Sequence, residues 1–309
     1  MTLSGYLFAK LLDGKSISFK AFLWNRMLRL LPLLVAMILV VGFREWMVGK
    51  SLSAYALSIA QGIVLPTLPK GGWSITVEFH FYAILPLFLW LIRKSKWLPF
   101  SIVVAAIVLR SLIFYAHGEV ESLAYWTIVG RVDQFALGMI AFQFRSAVAH
   151  RHVVAAATLL AFTAFYWYLD YHGGVFQAPG VLWILLPTIE GLAYGVSIAW
   201  YEQSFAHSKN SVARFIARVG EYSYSIYLLH VLVVFKAAAF VNERIMGISN
   251  FYVACVWALV FLLLMIPPAY LSFRFIESPF LKLRKRYVLP IHGTQKMPAE
   301  SVEQPGWRD

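Results

Sequence analysis

Three polar side chains follow one another at one-turn intervals in an apolar stretch. Ser74, Glu78 and Tyr82 are four residues apart between Trp73 and Pro86, so in a helix they share one face. A carboxylate at the mouth of a membrane helix is costly to desolvate, and we expect it to pair with a cation or to face a wet cavity. The pattern makes Glu78 and Ser74 candidate catalytic residues and Trp73 and Tyr82 candidate substrate-binding or structural residues. A hydrated Glu78 with no role is the alternative.

A second polar group surrounds His230. At helical spacing Ser223, Tyr227 and His230 fall on one face. An imidazole beside hydroxyl groups can accept a proton or support a group that does. The sequence therefore makes His230 a candidate catalytic residue and Tyr227 a candidate substrate-binding or structural residue. The alternative is a hydrogen-bonded histidine in the core.

Arg26 and Arg29 are three residues apart, on one helix face, beside an apolar run. Guanidinium groups bind phosphate oxygens through paired hydrogen bonds, and this spacing suits a pyrophosphate or a phosphorylated cofactor. Basic residues also anchor the inner ends of membrane helices, so an anchoring role alone is the alternative for this pair.

Four further ionisable residues lie within apolar runs or near their ends, namely Arg110, Arg131, Asp133 and Glu190. Charged side chains inside a membrane face the bundle interior and pair with one another. We expect Arg131, Asp133 and Glu190 to be substrate-binding or structural. Arg110 and Glu190 are candidates for a structural ion pair.

The composition is that of a membrane protein. Of the 309 residues, 60% are hydrophobic and 14% are charged, against about 45–50% and about 25% in soluble domains. A single cysteine, Cys255, excludes an intramolecular disulfide, and we expect no metal site. The net charge of +12 lies in short blocks between apolar runs, which favours contact with membrane lipids over nucleic-acid binding.

The apolar runs predict an all-α polytopic membrane protein with about eight full transmembrane helices. Residues 1–12 are apolar but shorter than the roughly 20 residues of a span, so they predict an N-terminal half-helix stub. Segment 51–72 ends in prolines and glycines and predicts a re-entrant or interfacial segment. The expected spans are 28–48, 74–92, 98–116, 125–144, 153–170, 180–201, 219–240 and 251–273.

Basic residues concentrate in alternate loops, and this predicts the orientation. If 51–72 does not cross, the loops rich in lysine and arginine lie inside, Trp73 lies at the outer face and the C-terminus is cytoplasmic. After Arg286 the chain is polar and irregular. We therefore predict a membrane-embedded domain over 1–286 and a disordered cytoplasmic tail over 287–309.

Six separated segments together resemble the acyltransferase-3 family of integral-membrane O-acyltransferases. Those segments are Leu3 to Tyr6; Arg26 to Arg29 with Pro32; Trp73 and Ser74 with Glu78, Phe81, Tyr82 and Pro86; Arg131 with Asp133, Phe135 and Gly138; Ser223 to Ser225 with Tyr227, Leu228 and His230; and Glu277 with Pro279. The family's members resemble one another in being ten-helix bacterial inner-membrane proteins. They move an acyl group, commonly acetyl, from a cytoplasmic coenzyme A thioester to a hydroxyl of an extracytoplasmic glycan or similar acceptor.

The resemblance implies acyl-CoA, commonly acetyl-CoA, as co-substrate, with its phosphates at Arg26 and Arg29. It further implies that the segment from Trp73 to Tyr82 belongs to the acceptor side. The acceptor hydroxyl must lose its proton to attack the thioester carbonyl, because a neutral hydroxyl is a poor nucleophile. The resemblance implies a family histidine as the base, and His230 would support the site or shape the path of the acyl group among the helices.

One implied feature has no counterpart here. The resemblance implies an arginine followed eleven positions later by a histidine in the first helix, and no histidine of this sequence has an arginine at that spacing. The stub aligns with the end of the family's second helix. We therefore expect the natural reading frame to begin upstream; an inactive truncated product or an enzymatically silent partner protein is the alternative.

The rival function is a polytopic transporter or flippase for a glycan or lipid. In that interpretation Arg110, Glu190 and His230 would line an ion or lipid pathway. Transporters often contain inverted repeats, and the sequence contains no internal repeat.

Overall fold

The structure, a computed structural model, describes residues 1–69, 71–175, 179–206, 208 and 210–290. In this part of the chain almost all regular structure is helical, which confirms the all-α polytopic class. The helices are α1 (Thr2–Leu11), α2 (Phe19–Met47), α3 (Leu52–Gln61), α4 (Trp73–Lys94), α5 (Pro99–His117), α6 (Glu121–Trp126), α7 (Ile128–Gln143), α8 (His152–Tyr171), α9 (Leu182–Ser204), α10 (Ser211–Glu221), α11 (Ser223–Arg244), α12 (Phe251–Ser272) and α13 (Ser278–Leu281). A π-helical turn, Phe273–Glu277, joins α12 to α13, and two short strands, β1 (Lys15–Ile17) and β2 (Val288–Pro290), pair in antiparallel fashion.

Among the described residues, seven helices are long and apolar enough to cross a membrane: α2, α4, α5, α8, α9, α11 and α12 with its continuation to Leu281. The eighth expected span, 125–144, is divided. α6 ends at Trp126, and the hydroxyl of Thr127 accepts a hydrogen bond from Gly130 N at 3.3 Å as the cap of α7. The prediction treated this stretch as one apolar run and missed the capping residue.

The sixteen-residue α7 lies inside the bundle, against α1, α5 and α9. Glycine allows the helix backbones to approach closely. A Cβ atom on Gly138 would lie 2.0 Å from the carbonyl oxygen of Thr2, and one on Gly5 would lie 2.1 Å from that of Phe135. The rings of Phe81 and Phe135 stack with centroids 3.7 Å apart and hold α4 against α7.

Segment 51–72 folds back along α2. The hydroxyl of Tyr55 on α3 donates to the carbonyl oxygen of Ile38 at 2.8 Å, and Thr76 on α4 donates to that of Gly62 at 2.6 Å. With ten residues, α3 is about 15 Å long and cannot cross the roughly 30 Å hydrocarbon core. The chain therefore reaches α4 without a full crossing, as predicted.

The two ends of α4 lie at opposite ends of the bundle. Arg93, near its last residue, donates to the carbonyl oxygen of Lys15 at 2.9 Å, so α4 ends beside the start of α2. We call this the Arg26 end, after the arginine on the second turn of α2. The opposite end, where α4 begins, is the Trp73 end.

The segment after α13 returns to the start of α2. Asn25 Nδ2 donates to Lys285 O at 2.6 Å, and Lys285 N donates to Asn25 Oδ1 at 2.8 Å. Ile17 pairs with Val288 in the strand ladder. The expectation of disorder from residue 287 is thus wrong for Val288–Pro290, because β1 offers a pairing edge that the tail's own composition does not reveal. Residues 291–309 lie outside the described residues.

We predict that Gly138→Ala strongly destabilises the protein, because the added methyl group meets helix backbone that cannot move aside without separating α1 from α7. Overpacking of this kind costs about 1–3 kcal/mol or more. Thermal unfolding of the purified protein in detergent tests this. Gly220→Ala is the matched control, since its Cβ would meet nothing within 4 Å, and equal melting temperatures for the two variants would contradict the close crossing.

Candidate functional site

The polar residues Ser74, Glu78 and Tyr82 lie on one face of α4, as their spacing predicted, and hydrogen bonds engage both ends of this face. The phenol of Tyr82 donates a hydrogen bond to the carboxylate of Glu78. One turn further, the Ser74 hydroxyl donates to the Tyr227 hydroxyl at 2.7 Å. Tyr82 is buried, while Glu78 and Ser74 are partly buried. We call Ser74, Glu78 and Tyr82 the α4 row.

Arg26 lies beside the α4 row at its Tyr82 end. Its guanidinium carbon is 5.7 Å from the centroid of the Tyr82 ring, 4.9 Å from that of Phe8 and 5.4 Å from that of Phe22. Aromatic faces attract a cation in this geometry. They leave its N–H donors for another partner, and no hydrogen bond or ion pair joins the group to another described residue. Arg26 therefore lies next to the α4 row without forming an ion pair with its carboxylate, Glu78.

The first turns of α11 hold the other side of the row. Tyr227 donates to the carbonyl oxygen of Gly71 at 2.8 Å, and Tyr224 donates to that of Leu30 at 2.6 Å. Gly71 has φ of 84°, a conformation that favours glycine. Ser225 donates to the carboxylate of Glu277, a residue only 1% exposed. These bonds fix α11 against α2, α4 and the π-turn.

His230 lies one turn beyond Tyr227, and their ring centroids are 5.8 Å apart. Its Nδ1 contacts the carbonyl oxygen of Tyr227; because a carbonyl only accepts, Nδ1 is the donor of this hydrogen bond. The ring lines a cavity of about 370 Å³ between α11 and α12, together with apolar side chains such as Trp257 and Met265. The structure brings His230 to Tyr227 but not into contact with Ser74 or Glu78.

At the Trp73 end, Arg131 joins aromatic rings to a carboxylate. Its guanidinium carbon is 4.8 Å from the Tyr125 centroid and 5.7 Å from the Trp73 centroid. Arg131 Nη1 is 3.4 Å from Glu190 Oε2. Glu190 has two further partners that the sequence did not single out. Gln134 Nε2 donates to Glu190 Oε2 at 2.7 Å, and the Tyr166 hydroxyl donates to Oε1. Gln134 could have been found from its i, i+3 spacing to Arg131.

The expected ion pair between Arg110 and Glu190 is wrong. Arg110 Nη2 instead lies 2.7 Å from Asp133 Oδ2, and both side chains are 0% exposed. The guanidinium also donates to the carbonyl oxygens of Ile184 and Gly130, at 2.8 and 2.6 Å, and to the Thr188 hydroxyl at 2.8 Å. Residues two apart on a helix point to different sides, so Asp133 meets α5 while Arg131 meets Glu190. Asp133 also accepts from the Thr188 hydroxyl at 2.5 Å and from Gln134 N at 3.0 Å, and these partners favour a structural role for its carboxylate.

Arg29 lies one turn from Arg26 on α2. Its charge acts on Tyr82, Tyr224 and Glu277, so it shares the Arg26 end with the α4 row and the π-turn. The two arginines that the sequence offered for phosphate binding are therefore together. The α4 row lies between these arginines and the end of the bundle that holds Trp73 and Arg131.

Comparison with protein families identifies the family of the chain. The model of the acyltransferase-3 family, described as an acyltransferase domain, matches residues 1–267. Searches of curated proteins and of solved structures found no match.

We predict that Asp133→Asn lowers the melting temperature by roughly 10 °C, because loss of the charge leaves Arg110 buried without its counter-ion, at a cost of about 3–5 kcal/mol. Thermal unfolding in detergent measures the change. Glu78→Gln is the comparison, since Glu78 is less buried and the amide oxygen still accepts from Tyr82. If Asp133→Asn unfolds at the wild-type temperature, the buried pair is not the structural element described.

Proposed function

We propose that this chain, which belongs to the acyltransferase-3 family, is an O-acyltransferase that moves an acyl group from acyl-CoA at the Arg26 end to a glycan hydroxyl at the Trp73 end. Membership alone makes it a membrane acyltransferase. The donor, the acceptor and the direction of transfer are the proposal. The observation that supports them is the α4 row, which begins beside the guanidinium group of Arg26 at Tyr82 and ends at Ser74, next to Trp73.

Arg26 and Arg29 are assigned to the phosphates of the donor. Both are partly buried, which strengthens their attraction for an anion relative to water, and guanidinium forks match phosphate oxygens. With the phosphates there, the flexible pantetheine arm extends along α4 past Tyr82 towards Glu78. Acetyl-CoA is the expected donor.

Glu78 is assigned as the general base that accepts the proton of the acceptor hydroxyl. The carboxylate already accepts from Tyr82, and its remaining lone pairs can accept from a hydroxyl placed beside the thioester. As that proton leaves, the hydroxyl oxygen attacks the thioester carbonyl. The new C–O bond forms, the C–S bond breaks, and the thiolate of coenzyme A takes up a proton, so the products are an ester and free coenzyme A. The hydroxyl groups of Ser74 and Tyr227 bind the acceptor. His230 positions Tyr227 through its contact with the Tyr227 carbonyl oxygen.

Trp73, Tyr125 and Arg131 are assigned to the glycan. Aromatic rings offer a flat apolar surface to the C–H face of a sugar, and the guanidinium group can donate to its hydroxyls. The family resemblance implies the bacterial inner membrane, and the concentration of lysine and arginine at the Arg26 end favours an orientation with that end and the C-terminus cytoplasmic. The partners are then acyl-CoA, a surface glycan and membrane lipids, with no nucleic acid.

We expect Glu78→Gln to lower O-acylation at least 100-fold, because general acid–base catalysis contributes about 10²–10⁴. The measurement is the O-acetyl content of purified surface glycan, by NMR, in a deletion strain that carries each variant at equal protein level. Glu243→Gln, which alters an exposed carboxylate at the end of α11, should match wild type.

Two results would count against this assignment. Full acylation by Glu78→Gln would remove Glu78 from the reaction. Unchanged acylation in the deletion strain itself, with altered glycan export, would favour the transporter or flippase.

A further inference from the structure

The segment after the last span brings a third arginine to the Arg26 end. Arg284 directly precedes Lys285, whose backbone makes the reciprocal hydrogen bonds with the Asn25 side chain. On the other side of Arg284, Trp24 Nε1 donates to the carbonyl oxygen of Leu283 at 3.2 Å. Arg284 is thus held against the turn of α2 that leads into Arg26 and Arg29.

The attachment is built from several independent contacts. Ser18 N donates to the carbonyl oxygen of Tyr287 at 2.8 Å, and the rings of Phe22 and Tyr287 are 5.7 Å apart. The strand pairing of β1 and β2 follows directly. Asn25 is itself only 8% exposed, so its amide is committed to this contact. The segment is a fixed part of the Arg26 end.

Three like charges therefore share one region without a matching set of anions. No hydrogen bond or ion pair joins the guanidinium group of Arg26, Arg29 or Arg284 to another described residue. Partial desolvation, and then the charges of Arg29 and Arg26, lower the pKa of Arg284 from its ordinary value. The acid that acts on Arg284 is Glu277, which is almost fully buried and accepts from Ser225. Glu78 of the α4 row lies on the Arg26 side, so two carboxylates face three guanidinium groups and an excess of positive charge is left.

We propose that Arg284 completes, with Arg26 and Arg29, a three-arginine site for the phosphate groups of the acyl-CoA donor. This inference rests on the proposed function and extends it to a residue outside the matched range 1–267. Two guanidinium groups from one helix face and a third from a separate segment approach an anion from different directions. That arrangement suits a ligand with more than one phosphate group better than a single carboxylate.

Asn25 acts in this site as a positioning residue. Both atoms of its amide are used by the Lys285 backbone, with the nitrogen donating and the oxygen accepting. Removing the amide deletes both hydrogen bonds next to Arg284, while the Trp24 and Ser18 contacts and the strand pairing still hold the flanking residues. Asn25→Ala should consequently weaken donor binding, but less than Arg284→Gln does.

The test is equilibrium binding of coenzyme A to the full chain in nanodiscs of neutral lipid, with a second series in anionic lipid. We expect Arg284→Gln to weaken binding about 10- to 100-fold, since a charge-assisted hydrogen bond is lost. Arg284→Lys should restore part of the affinity. The matched control is Arg286→Gln, an arginine that is exposed like Arg284 but lies beyond the contact between Asn25 and Lys285, and it should change affinity less than about 3-fold. Unchanged melting temperatures show that the variants are folded.

The outcomes separate this inference from the function beneath it. Coenzyme A binding that is lost with Arg26→Gln but unchanged with Arg284→Gln overturns the third arginine and leaves the proposed donor site standing. Equal losses for Arg284→Gln and Arg286→Gln also overturn it, because the effect is then general charge. Binding of anionic lipid, and not of coenzyme A, that depends on Arg284 overturns it in favour of a lipid headgroup. A wild-type protein that binds no coenzyme A in either lipid refutes both proposals.

Discussion

The cost of placing a charged side chain in hydrocarbon organises this bundle. α7 carries two ionisable residues on different sides, and each is matched from a different helix: Asp133 by Arg110 of α5, Arg131 by Glu190 of α9. The Arg110 and Asp133 groups are completely buried and use their hydrogen-bonding capacity within the protein. Because unpaired charges here would be costly, these pairs fix the positions of α5, α7 and α9, and α4 packs against α7 and α5.

The charged groups outside this framework are arranged differently. Glu78 has one hydrogen-bonding partner among the described residues, Tyr82, and Arg26 has aromatic faces but no counter-ion. A structural pair would neutralise such groups; these lie on a continuous face from the Arg26 end to Ser74 and Tyr227. An anionic donor requires cations without a counter-ion, and these lie at the Arg26 end. A hydroxyl acceptor requires a base, and the Glu78 carboxylate lies midway along the face. The proposed chemistry therefore uses the charges that the fold leaves unpaired.

Local spacing was sufficient for part of this arrangement. The 3.6-residue period placed Ser74, Glu78 and Tyr82 on one face, and the length and proline content of 51–72 indicated a segment that does not cross. Partner choice was not predictable in the same way, because Arg110 and Glu190 have equally good counter-ions in Asp133 and Arg131, and only the packing of α5 and α9 on α7 decides between them. The division at Thr127 and the strand at Val288–Pro290 depended on a single cap and on a distant pairing edge. The position of Arg284 beside Arg26 depends on the same long-range contact and could not be predicted from local sequence.

Transfer from one end of the α4 row to the other can be measured as sidedness in sealed proteoliposomes. Radiolabelled acetyl-CoA is supplied on one side only and a membrane-impermeant oligosaccharide acceptor on the other, with vesicles sorted by the end that faces outward. We expect a labelled oligosaccharide only when acetyl-CoA faces the Arg26 end and the acceptor faces the Trp73 end. Labelling only when donor and acceptor share one side would contradict it.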